Sequence, residues 1–198
     1  MSSFHQLTLN TTRLLLRPLN EHDASALFGI FSDPRVTRYL ARGAWPSISD
    51  AHERIARDIE AMGSGKYLCL GVVRRADQAL VGECSLFNWL PQSRRAELGY
   101  ALGHEAWGHG YINEALQALL EHGFSEMALN RVEADIDPRN LASAKTLEHL
   151  GFQKEGTLRE RWIVNGEVSD TGLHGLLASD WKLRHGRPLT PDQPEADI

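Results

Sequence analysis

The chain predicts an α+β (α/β) domain: a mixed, largely antiparallel seven-stranded sheet flanked by helices. Three observations carry this. Strand-like and helix-like segments alternate along the 198 residues in the order β-α-α-β-β-β-α-β-α-β-β. Three apolar segments in succession, Tyr67 to Arg74, Leu80 to Trp89 and Ala96 to Leu102, are joined by short polar turns, which specifies an antiparallel meander. A strand, helix, strand passage over residues 96 to 136 then lays its second strand parallel to its first through a right-handed crossover.

Each element has a local cause. Thr12 to Leu19 is apolar and reads as the first strand. Asn20 caps a helix that places Leu27, Ile30 and Phe31 on one face and ends at Asp33-Pro34. Residues 35 to 46 are irregular and read as a loop or a broken helix. Ser47-Ile48-Ser49-Asp50 has capping-box spacing, and the helix behind it aligns Ile55, Ile59 and Met62. Gly63-Ser64-Gly65 stops that helix ahead of the meander. After Gly110 the helix period returns in Ile112, Leu116, Leu119, Leu120 and Phe124. Arg131 to Ile136 is a strand. Asn140 caps a helix whose inward positions are Leu141, Ala144, Leu147 and Leu150, closed by Gly151. Phe152 to Leu158 and Val168 to Ala178 complete the sheet, with a turn near Asn165-Gly166. A single domain over residues 1–183 is expected, followed by a flexible tail over 184–198 that carries Pro188, Pro191 and Pro194.

Composition narrows the function classes. Hydrophobic residues at 42% and charged residues at 24% describe a globular chain with enough length for a full core. A net charge of −5 gives no support to a nucleic-acid surface. Cys69 and Cys84 sit in apolar runs and read as buried free thiols, not as a disulfide or a metal site. The N-terminus lacks a basic start and an apolar block, and no apolar run reaches membrane-spanning length, so a cytoplasmic location is expected.

The most informative stretch is Trp107-Gly108-His109-Gly110-Tyr111-Ile112-Asn113-Glu114-Ala115. Two glycines let backbone approach a ligand closely, and a helix N-terminus adds unpaired N–H groups and partial positive charge. Together they suit a phosphate or pyrophosphate. Taken alone, the turn is a weak signal, and a simple tight bend before a helix is the favoured reading of it. A dinucleotide fingerprint wants a third glycine where Asn113 stands, and the Gly-Lys-Ser/Thr of a nucleoside-triphosphate loop is absent.

Several blocks in order resemble one family. Glu97-Leu98-Gly99-Tyr100, then Trp107 to Tyr111 and Glu114-Ala115, is similar to motif A of the GNAT N-acetyltransferases. Asp137-Pro138-Arg139-Asn140-Leu141-Ala142-Ser143 with Leu150-Gly151-Phe152 is similar to their second motif. Thr12-Arg13-Leu14, Leu16-Arg17-Pro18 and Glu155-Gly156-Thr157-Leu158-Arg159 resemble the RimJ/RimL-like branch, which acetylates protein N-termini. The resemblance spans residues 10 to 182. One departure is Glu105, where the superfamily often has Gln or Arg.

The resemblance implies a GNAT-like fold, acetyl-CoA as cosubstrate and no metal. It places the pyrophosphate on the amides of Trp107, Gly108, His109, Gly110 and Tyr111, and the pantetheine arm on the freed backbone of Tyr100, Ala101 and Leu102. Asn140 binds pantetheine amides, with helix capping as its alternative, and Ser143 donates to the CoA sulfur. Glu97 is the expected base, with Asp135 or a water chain as competitors. Tyr39, Trp45, Asn88, Trp89 and Trp162 are candidates for the acceptor site, each with a core role as its alternative. His109 faces either a phosphate or solvent. The acceptor is a primary amine, with a protein or peptide N-terminus favoured over a small molecule; a non-catalytic acyl-CoA sensor is the rival from another class. A homodimer is among the family's habits, and no residue pattern marks an interface.

Overall fold

The computed structural model describes residues 4–65 and 67–186. The strands are β1 (Leu9–Asn10), β2 (Leu14–Arg17), β3 (Leu68–Arg74), β4 (Ala79–Leu90), β5 (Arg95–Leu102), β6 (Arg131–Ile136), β7 (Gln153–Val164) and β8 (Glu167–Leu177). The helices are α1 (Ala24–Phe31), α2 (Pro34–Thr37), α3 (Ile48–Gly63), α4 (Tyr111–Ser125), α5 (Leu141–Leu150) and α6 (Ala178–His185). They build one eight-stranded sheet in the order β1-β2-β3-β4-β5-β6-β8-β7. Its neighbours are antiparallel except for β5 and β6, which are parallel, as the crossover through α4 requires.

The sheet separates two apolar layers. Alternate residues of β3 divide between them: Leu68 and Leu70 join Leu116, Leu119, Leu120, Leu147 and Trp181 from α4, α5 and α6, whereas Cys69 joins Leu27, Ile30 and Ile55 from α1 and α3. Both cysteines are free and buried, as composition implied. No described helix is long and apolar enough to cross a membrane.

Local signals account for the helix ends. Ser47 and Asp50 form the reciprocal box that opens α3. Asn140 Oδ1 accepts the Ser143 N–H at 3.1 Å, and Gly151 at φ 100° closes α5. Asn165 (φ 50°) and Gly166 (φ 81°) turn β7 into β8 with two left-handed residues.

Two expectations, the strand count and the inward face of α3, need correction, and two others gain detail. The sheet has eight strands instead of seven, because the two-residue β1 pairs with β2, too short to leave a period in the sequence. The irregular segment takes the broken-helix form, in which Asp33 caps the four-residue α2 with Pro34 in its first turn. The chain after β8 continues as α6, anchored by the buried Trp181, so residues 184 and 185 are helical; the rest of the expected tail, 187–198, lies outside the described residues. On α3, Ile59 faces solvent and Asp58 is buried instead, because its carboxylate meets Arg54 Nε at 2.7 Å.

Candidate active site

The parallel pair is short. β5 and β6 pair at Arg95↔Arg131, Ala96↔Val132 and Glu97↔Glu133, after which the strands part. β5 runs on to Leu102 and β6 to Ile136, and both lone stretches line one cavity of about 1180 Å³. A backbone edge left without a neighbouring strand offers N–H and C=O groups to an extended ligand.

At one end of the cavity stands the start of α4. Gly108 and Gly110 have φ of 77° and 74°, which side chains rarely adopt, and a Cβ on Gly108 would project into open space. Unlike α3 and α5, α4 has no side-chain cap. Its first-turn N–H groups and the positive end of its dipole are left for a ligand. Trp107 is pinned by its indole N–H, which donates to the Leu102 carbonyl at 3.0 Å.

In the middle, α5 faces β5 across the gap. Ser143, buried at the first turn of α5, has its Oγ 2.6 Å from the Tyr100 hydroxyl. Burial pushes the Tyr100 hydroxyl up to about 12, so at neutral pH it keeps its proton, and either hydroxyl of the pair can donate to the other. Asn140 spends its carbonyl on the Ser143 N–H, leaving its amide N–H groups.

The far end is bounded by α2 and its following loop, and by the β7–β8 hairpin. Extra residues in β7 between Leu158 and Trp162, with Glu160 at φ 52°, bend the hairpin so that Trp162 and Val164 line the cavity. Arg139 ties the loop after β6 to the hairpin, donating to both Asp137 and Glu167. Its hydrogen bonds from Arg139 hold the Asp137 carboxyl below the ordinary range. Asp135 behaves oppositely: burial raises its pKa, and the Arg161 guanidinium at 3.9 Å only partly offsets this.

Among the expected site residues, Tyr39, Tyr100, Ala101, Leu102, Trp107, Gly108, Gly110, Tyr111, Asn140, Ser143 and Trp162 line this cavity, and so does Asp135. Glu97, His109, Asn88 and Trp89 do not. Glu97 occupies the last paired position, with its carboxylate 3.8 Å from Arg95. His109 is exposed and stacks on Tyr111. A register shift between Phe87 and Leu90 leaves Asn88 exposed, and Trp89 packs against the core. Trp45 stacks on Phe31 with ring centroids 4.6 Å apart, which is its core role. Two features escaped the sequence reading. The Tyr100 side chain, not only its backbone, enters the site, and strand alternation from Leu98 was the available signal. The Asp137–Arg139–Glu167 tie joins residues too far apart in sequence for any spacing to reveal.

Known proteins share this architecture. The pattern of the acetyltransferase (GNAT) domain family matches residues 13–153. The uncharacterized N-acetyltransferase p20 of Bacillus licheniformis is 37% identical over 177 residues, covering 88% of this chain and 98% of that one. The [ribosomal protein uS5]-alanine N-acetyltransferase of Escherichia coli is 26% identical over 91% of this chain and 95% of its own. A GNAT-family acetyltransferase structure from Bacillus anthracis superposes with a TM-score of 0.79 at 25% identity, over 87% of this chain and 99% of that one. With the family pattern spanning most of the sequence, and the parted strands and glycine turn in place, the chain belongs to the GNAT family of acetyltransferases.

Proposed function

We propose that this acetyltransferase moves the acetyl group of acetyl-CoA to the α-amino group of a protein or peptide. The observation that carries the reading is the gap between β5 and β6, whose cavity is lined both by the start of the uncapped α4 and by Asp135. Its volume of about 1180 Å³ exceeds the roughly 300–1,000 Å³ of a typical single-ligand site, which suits two partners meeting end to end.

Acetyl-CoA supplies the activated thioester. The remaining work falls to this chain. Amides of residues 108–111 and the α4 dipole receive the pyrophosphate. The free edge of β5 over residues 99–102 pairs with the pantetheine amides, and Asn140 adds its side-chain N–H groups. Ser143 directs its O–H to the sulfur while its oxygen accepts from Tyr100, so the departing thiolate meets a donor that is itself supported. Asp135 takes the proton of the attacking amine, for which a carboxylate with raised pKa is the better base. Glu97, tied to Arg95 outside the cavity, is the weaker candidate.

The peptide acceptor is supported by the similarity to the uS5-alanine enzyme and by a cavity end walled with Tyr39, Trp162 and the α2 loop, where a chain can leave toward solvent. CoA release measured over peptides with free α-amino groups, N-blocked lysine peptides and short diamines tests it. The expected outcome is turnover at least about tenfold higher with free α-amino peptides. Turnover confined to diamines sinks the peptide reading, and tight CoA binding without turnover on any amine turns the domain into a sensor.

A further inference from the structure

The Thr12-Arg13-Leu14 motif has no part in the gap between β5 and β6, yet Arg13 reaches the glycine turn. Glu114, in the first turn of α4, accepts three bonds from the segment ahead of β2. Its Oε1 takes the Thr11 hydroxyl at 2.6 Å and the Arg13 backbone N–H at 2.8 Å, and its Oε2 takes Arg13 Nε at 2.6 Å. Burial opposes the charge on Glu114, but these bonds outweigh it and hold the carboxyl below its usual range. Held so, the same guanidinium donates through Nη1 to the His109 carbonyl at 2.9 Å. Its carbon lies 4.8 Å from the Tyr111 ring centre, and Nη2 would sit 3.6 Å from a Cβ on Gly110.

We infer that Arg13, braced by Glu114, is the positioning residue for the pyrophosphate turn. All peptide bonds of the described residues are trans, and in a trans unit the carbonyl and the following N–H point in opposite directions. Drawing the His109 carbonyl toward Arg13 therefore sends the Gly110 N–H away from it, to the side where the phosphate is received. Without that bond, the peptide between two left-handed glycines is free to rotate, and the anion seat loses its fixed donors. The bond crosses 96 residues of sequence and fixes a backbone that two glycines leave soft. An ion pair serving only as surface decoration does not need to reach a third, backbone partner.

The inference rests on the reading of residues 108–111 as the pyrophosphate seat, and the test separates the two. The kcat/KM for acetyl-CoA is compared with that for S-acetylpantetheine, which lacks the pyrophosphate, in the wild-type chain, Arg13→Ala and Arg13→Lys. In Arg13→Ala the acetyl-CoA preference is expected to fall about tenfold, the scale of one charged hydrogen bond. Arg13→Lys is expected to stay close to Arg13→Ala, because an ammonium cannot reach Glu114 and His109 at once. Equal losses with both donors, or full rescue by lysine, would overturn the positioning role. A wild-type chain with no preference for acetyl-CoA over S-acetylpantetheine would instead remove the pyrophosphate seat, and this inference with it.

Discussion

The Tyr100 hydroxyl oxygen lies 2.6 Å from Ser143 Oγ, across the gap where β5 and β6 no longer pair. This bond ties the unpaired stretch of β5 to the first turn of α5. Because burial raises the Tyr100 pKa to about 12, the phenol stays protonated and can donate to Ser143, freeing the serine proton for a sulfur. Ser143→Ala is therefore expected to lower kcat by about 10²-fold or more with little change in the Kd for CoA. Tyr100→Phe has a smaller effect in the same direction, and the double variant costs no more than Ser143→Ala alone, since the two act as a unit. Stopped-flow CoA release and calorimetry check this. An intact rate in Ser143→Ala removes the serine from the mechanism.

The acid limb of the rate profile reports the base. Burial raises the Asp135 pKa, and a base works only when deprotonated. With Asp135 as the proposed base, activity is expected to be complete above that pKa and lost as pH falls through it, at a higher pH than the roughly 3.9 of an ordinary aspartate. Arg161→Ala removes the nearby positive charge and moves the limb higher still. Asp135→Asn abolishes the limb and lowers kcat/KM by roughly 10²–10⁴. If Glu97→Gln, not Asp135→Asn, removes the limb in a pH series, the proton goes to Glu97.

What the sequence made legible follows from the range of the signal. The capping box at Ser47, the Asn140 cap, the Gly151 stop and the glycine turn before α4 are decided within a few residues, and each stands where the pattern put it. Asn88 and Trp89 were misplaced because the register of β4 on β5 shifts there, a property of two strands together. Asp58 supplanted Ile59 because its charge finds Arg54, and a hydrophobic period cannot register an ion pair. Glu97 stood at the right distance from the glycine turn. Whether its carboxylate enters the cavity depends on where the parallel pairing ends, and no local pattern records that.

Gly110→Val tests the anion seat directly. At φ 74° a non-glycine residue is strained, and a β-branched one most of all. The added side chain also meets the Arg13 guanidinium and crowds the approach of a phosphate. Acetyl-CoA affinity is expected to fall at least about tenfold, beyond any change seen with S-acetylpantetheine, because a strained turn that relaxes no longer presents its amides to the phosphate. Unchanged affinity by calorimetry means the pyrophosphate binds elsewhere.

Behind the wall of the cavity lies a buried charge network whose removal should act on stability. Arg54 meets Asp58 through Nε at 2.7 Å and Glu83 through Nη2 at 2.9 Å, and Tyr67 donates to Asp58 at 2.9 Å. Asp58, Cys69 and Glu83 have ligand atoms within 4.8 Å of one another, but Arg54 pairs with both carboxylates and so meets the charge a cation would otherwise satisfy. Glu83 is paired in register with Ala101, which lines the cavity, so the network braces the strand expected to hold pantetheine. Arg54→Met leaves two buried carboxylates without a counter-charge, at a cost of about 3–5 kcal/mol. The sign with pH is fixed by Glu83. Burial raises its folded-state pKa, so its protonation favours the folded form at low pH and that advantage is lost as pH rises through the raised value. Loss of Arg54 raises it further. Urea unfolding of Arg54→Met is therefore expected to show its largest deficit near pH 8 and a smaller one near pH 5. Arg54→Met combined with Asp58→Leu and Glu83→Leu should recover most of the deficit, because an apolar core replaces an unpaired one. A deficit that does not depend on pH would mean that Arg54 matters here for packing, not for charge.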